Sequence, residues 1–160
     1  MAEVSIYVAL ISAGAGVAGA TISQLTAAIR DGRQAKRDRQ ERYEAAIRNA
    51  CVELLRAAGE LRTQVANNFE YHGEDMPARL AEVRRCAGAA EVHAATVALL
   101  VPETLAVPSE QVAAAASHLA VLAAEKTNLR LGGMDELPDF SELDERVEAF
   151  RRIAIAGARR

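Results

Sequence analysis

Tryptophan is absent and all aromatics together make up 4% of the 160 residues. The 51% hydrophobic content therefore rests mainly on Ala, Val and Leu, a composition suited to thin helices packed closely. Four Pro and ten Gly are too few for a collagen-like or disordered chain. Two cysteines, Cys51 and Cys86, do not make a disulfide scaffold. If their helices form a hairpin turning near Gly73, the two are offset by roughly 13 Å along the axis at about 1.5 Å per residue, beyond disulfide reach. Both read as small core or boundary residues in a reducing compartment. No segment alternates like a strand, and a formal charge of −3 gives no general pull towards nucleic acid. The length suits one domain plus an anchor.

Charge is also missing locally. From Val4 to Ile29 about 26 consecutive residues carry no formal charge, enough for a helix of roughly 39 Å against the roughly 30 Å of a bilayer core. The chain opens Met1-Ala2-Glu3, without the basic start of a secretory signal. An interfacial helix needs a charged face, which this stretch lacks. A soluble helix buried all round is the strongest competitor, although the stretch is long for so small a domain. The expectation is a transmembrane anchor over residues 1–29. Within it Gly14, Ala15, Gly16, Gly19 and Ala20 place small residues four apart, Ala15 with Gly19 and Gly16 with Ala20. Such a groove lets another helix approach closely.

A basic collar over 30–42 follows, opening the first body helix. Residues 30–48 hold seven Lys/Arg against four Asp/Glu, a local +3. With −1 before them, the remainder carries −5. Arg30, Arg33, Lys36, Arg37, Arg39 and Arg42 all fall near the end of the anchor, so positive-inside bias places the N-terminus outside and the body in the cytoplasm. Asp31, Asp38 and Glu41 interrupt the run and only Tyr43 offers a ring nearby, which argues against nucleic acid. Attraction to anionic lipid, about 1 kcal/mol per well-placed cation, explains it more directly.

Residues 43–160 read as a cytoplasmic helical bundle. Tyr43, Ile47, Ala50, Leu54, Leu61 and Val65 mark the first helix, ending near Phe69 or Tyr71. Gly73 and Pro77 break the chain. Leu80, Val83, Ala87, Ala90, Ala94, Val97 and Val101 then repeat in steps of three and four, one stripe of a second helix. Pro102 and Pro108 bracket a connection. Ser109 is the expected N-cap of a third helix with Glu110 in its first turn, a face of Val112, Ala116, Leu119, Leu122 and Leu129, and a stop at Gly132 and Gly133. Met134 to Asp139 reads as a loop, and Ser141 with Asp144 as a capping box for a fourth helix lined by Phe140, Leu143, Val147, Phe150 and Ala154. The fold class is all-α: a single N-terminal transmembrane helix followed by an antiparallel four-helix bundle. Its many Ala bury little area each, so full stability calls on oligomerisation or the membrane.

Chemistry is not written into the pattern. The residues three before His72, His93 and His118 are Phe69, Ala90 and Ala115, so no Glu-x-x-His pair exists for a di-metal site. Cys51, Cys86, Ser109, Ser117 and Ser141 lie in no nucleophile motif, and no glycine-rich phosphate loop is present. The acidic residues Asp135 to Glu145 complement a helix N-terminus and keep the surface soluble. The expectation is no catalytic or metal residue, no cofactor and no small-molecule substrate; the partners are membrane lipids and a protein, a second copy included.

The uncharged span, the stretch Arg37-Asp38-Arg39-Gln40-Glu41-Arg42-Tyr43-Glu44-Ala45 and the Ala-rich Val112 to Leu122 resemble the small membrane-anchored helical-bundle proteins of high-GC Gram-positive bacteria and their phages. That resemblance implies architecture and no activity. Three roles fit: a membrane-held interaction or sensing module, a membrane-perturbing protein such as a phage holin or defence effector, and a soluble helical subunit of a larger complex.

Overall fold

The structure, a computed structural model, describes the backbone of residues 2–101 and 103–158, with side chains from residue 34 to residue 157 apart from residue 102. Among the described residues the chain is all-α save for one small ladder: α1 (Ala2–Glu70), α2 (Met76–Leu100), α3 (Ala106–Glu125), β1 (Thr127–Asn128), β2 (Gly133–Met134) and α4 (Ser141–Ala158). Two compact units divide it, residues 1–44 and 45–160. The first is the N-terminal part of α1, with side chains described from residue 34. The side chains expected to form the anchor, with Gly14, Ala15, Gly16, Gly19, Ala20, Arg30 and Arg33, lie outside the described ones. Among the described residues no helix is long and apolar enough to cross a membrane.

The second unit packs the rest of α1 with α2, α3 and α4 around one core. Steps of three and four turn each apolar stripe inward. Ala50, Leu54, Leu61 and Val65 of α1 are buried, and so are Leu80, Val83, Ala87, Ala90, Ala94 and Val97 of α2. α3 adds Val112, Ala116 and Leu119, and α4 adds Leu143 and the fully enclosed Phe150. Tyr43, expected on this face, is 51% exposed, because the core begins a turn or two later, at Ile47 and Ala50. Neighbouring helices run antiparallel. The Ser117 hydroxyl of α3 donates to Glu91 of α2 at 2.6 Å, and nearer the start of α3 the Ser109 hydroxyl lies 3.2 Å from the Ala94 carbonyl. At the start of α4, His118 and Glu142 lie 2.8 Å apart, and Arg62 of α1 pairs with Asp144 at 3.2 Å while lying 5.0 Å from the centre of the Phe140 ring.

Several expectations are corrected here. α3 starts at Ala106 instead of Ser109, because Pro108 fits a first turn whose N–H groups have no acceptor anyway. Ser109 is thus no cap but a fully buried residue, its hydroxyl 2.8 Å from the Ala106 carbonyl, and Glu110 falls beyond the first turn. α3 also ends at Glu125, about one turn earlier than its apolar pattern suggests, and Leu129 is 59% exposed. The chain turns because the Asn128 side-chain oxygen accepts the N–H groups of Arg130 and Leu131 at 3.1 and 3.3 Å, and because Gly132 takes φ +65°, where other residues are strained. A ladder forms against the expectation of none, pairing Thr127 with Met134 and Asn128 with Gly133. It carries Met134 into the core and bridges Gly133 to His72, closing this end of the bundle over the α1–α2 turn. The first N–H of α4 is taken by Asp139, which accepts the Ser141 N–H at 2.9 Å and its hydroxyl at 2.7 Å; Asp144 is occupied by Arg62.

Candidate functional site

Two surface grooves run between helices of the bundle. The first, about 620 Å³, lies between α2 and α3. Small residues make its floor, Ala87 and Gly88 from α2 with Ala120 and Ala124 from α3, and Arg84, Glu91 and Glu125 stand at its lips. A Cβ added at Gly88 would meet nothing within 4 Å, so the groove is open there. Its chemistry is that of an apolar strip between charges. The second, about 600 Å³, lies between α1 and α2 and is lined by Gly59, Glu60, Thr63, Gln64, Glu82, Arg85 and Cys86.

Several polar groups of the second groove are held by local pairs, Glu60 among them through Arg56 at 3.5 Å. Arg85 donates two hydrogen bonds to Glu82, at 2.8 and 2.6 Å. The pairing holds the Glu82 carboxyl below its usual range and raises the guanidinium further above its own. The Thr63 hydroxyl donates to the Gly59 carbonyl at 2.9 Å. Cys86 contributes a thiol whose pKa burial pushes up, against the smaller downward pull of Arg85. Cys51, the other free cysteine, is pushed the same way by burial. A thiol held protonated is a poor nucleophile, so these residues pack more than they react.

The remaining titratable residues do not converge. Among the described residues no group of three or more His, Cys, Asp or Glu is placed to hold a metal ion. His72 sits in the turn against Gly133, where an added Cβ would come within 2.5 Å of its ring. His93 is half-buried on α2, and His118 faces Glu142 across α3 and α4. The described cations of the collar, Lys36, Arg37, Arg39 and Arg42, are all exposed, as is every side chain from residue 34 to residue 46.

The chain matches no family model, no curated protein and no solved structure. A further feature is the outer side of the α2–α3 hairpin, where Val92, Leu99, Val107 and Val121 are 54–84% exposed. Its signal is present in the sequence: the stripe running from Leu80 to Val97 fixes the core side of α2, which puts Val92 and Leu99, seven apart, on the opposite side.

Proposed function

We propose that this protein is a non-enzymatic interaction module held at the inner face of the cytoplasmic membrane by the N-terminal part of α1, with lipid at one end and a protein partner on the bundle. The reading is carried by one observation: α1 extends from Ala2 to Glu70, so the uncharged stretch, the basic collar and the first core helix belong to one secondary-structure element. A helix uncharged over 4–29 finds its lowest free energy in hydrocarbon, where all its backbone groups stay bonded internally. The cations that follow then lie at the headgroups, where each contributes about 1 kcal/mol near an anionic leaflet. They orient the chain with its N-terminus outside. The grooves and satisfied polar pairs of the bundle support binding over turnover.

Localisation tests the proposal. A fluorescent fusion of the full chain is expected at the cell periphery, and deletion of residues 1–29 is expected to release it. Overexpression should leave the membrane potential intact. Collapse of the potential, relieved by Gly16→Leu or Gly19→Leu, would replace the module reading with a lesion-forming one; a diffuse full-length fusion would end both.

A further inference from the structure

We propose that the outward face of the α2–α3 hairpin is a homodimer interface, on which a second copy of this chain packs about a two-fold axis parallel to the helices. α2 presents Val92 and Leu99, 64% and 84% exposed, and α3 presents Val107 and Val121, at 63% and 54%. Ala95 and Ala114 are exposed between the members of each pair. Val92 and Leu99 are seven apart with Ala95 between them, and Val107, Ala114 and Val121 recur at steps of seven, so each set shares a face of its helix, and the two helices are antiparallel neighbours. A lone exposed aliphatic needs no explanation. Aliphatics aligned along two adjacent helices, with the exposed Glu110 between Val107 and Ala114, make a face of the mixed kind that marks an interaction site.

Charge selects the occupant and the symmetry. Arg84 of α2 and Glu125 of α3 stand on opposite lips at the same end of the groove, and among the described residues neither has an ion-pair partner. A two-fold axis parallel to the helices sets α2 of one copy against α3 of the other at equal height. Each Arg84 then meets the second copy's Glu125, twice per dimer. An axis across the helices would face α3 with α3, and α3 contains no Lys or Arg to meet Glu125. The parallel arrangement is self-complementary, as an isologous contact must be.

Size is adequate. The 20 residues of α3 extend about 30 Å, and two helices about 10 Å apart present roughly 550 Å² per copy. The total of about 1,100 Å² clears the roughly 1,000 Å² that a biological interface needs and belongs to the weaker, concentration-dependent class. Gly88 and the Ala floor let the second copy's valines approach the backbone closely. The Ala-rich core gives the monomer reason to gain from the contact, since each Ala buries little area.

The test is the mass of the full-length chain in lipid nanodiscs or detergent micelles, followed over concentration by sedimentation. A dimer is expected, and Val121→Glu is expected to weaken it at least about tenfold, with circular dichroism showing the helices intact. Arg84→Glu or Glu125→Arg alone should each weaken the dimer several-fold, and the double reversal should restore it, the signature of a coupled pair. A monomer at every concentration overturns the proposal. So does a dimer indifferent to Val121→Glu, or a double reversal as weak as its two parts combined. A dimer lost with Gly16→Leu yet kept with Val121→Glu would place association in the N-terminal segment instead.

Discussion

Asn68 offers the sharpest test of how the bundle is held together. It lies on α1, fully buried, one turn beyond Val65, and among the described residues neither its side-chain nitrogen nor its oxygen has a hydrogen-bond partner. Desolvating an amide without a protein partner costs about 1–3 kcal/mol. Asn68→Ala removes that cost. It leaves a void of roughly 30 Å³, which at about 24 cal/mol per Å³ costs about 0.7 kcal/mol, and it gains roughly 0.5 kcal/mol of helix propensity. The expected net effect is stabilisation by about 1–2.5 kcal/mol, or a rise of roughly 3–10 °C in Tm for a domain of this size. Urea unfolding of the full chain in detergent, followed by far-ultraviolet circular dichroism, measures it. Loss of 1 kcal/mol or more would show that the amide is satisfied in solution, and the reasoning about this position would fail.

Other positions give independent checks. Gly132→Ala should destabilise by about 1–3 kcal/mol, because the residue sits at φ +65° and an added Cβ would lie 2.9 Å from the Gly73 carbonyl oxygen. Gly59→Ala should stabilise by about 0.5–1 kcal/mol, since its Cβ meets nothing within 4 Å; equal effects from the two glycines would contradict the account of the turn. Replacing Arg62 by Met should cost about 1 kcal/mol through loss of the Phe140 ring contact and the Asp144 pair, while Asp144→Asn, which spares the ring contact, should cost less. Asp139 carries a lowered pKa because the Ser141 N–H and then the Ser141 hydroxyl bond its carboxylate. Its contribution is fully present above the ordinary value of 3.8 and lost as pH falls through the lower folded value. Asp139→Asn should therefore flatten the acid end of the stability profile, measured by thermal melts below neutral pH, and leave its shape above pH 5 unchanged.

The parts of the fold that the sequence makes legible are those where one period dominates. Leu80 to Val97 step by three and four without interruption, so the sequence alone marks the buried side of α2 residue by residue. The α1–α2 turn is equally plain, because Gly73 and Pro77 interrupt the pattern together. Where local chemistry competes with the period, the pattern misleads. Leu129 continues the spacing of α3, yet the Asn128 side chain captures two N–H groups and turns the chain before that residue can reach the core. A ladder of two residues per strand is too short to alternate visibly, and its register is set by Gly132 and Gly133, which read as simple helix stops. Ser109 has the right chemistry for an N-cap, but Pro108 is as well placed inside a first turn as before one. The outer α2–α3 face was available by subtraction from the core stripe. Its polar complement was not, because placing Arg84 and Glu125 at the same height needs the register between the two helices.

Alkaline carbonate extraction of membranes from cells expressing the full-length chain addresses the anchor directly. An integral helix over residues 4–29 keeps the protein in the washed membrane pellet and requires detergent for its release. Recovery in the supernatant as a monodisperse species in plain buffer would mean that the uncharged stretch is buried by protein instead of lipid.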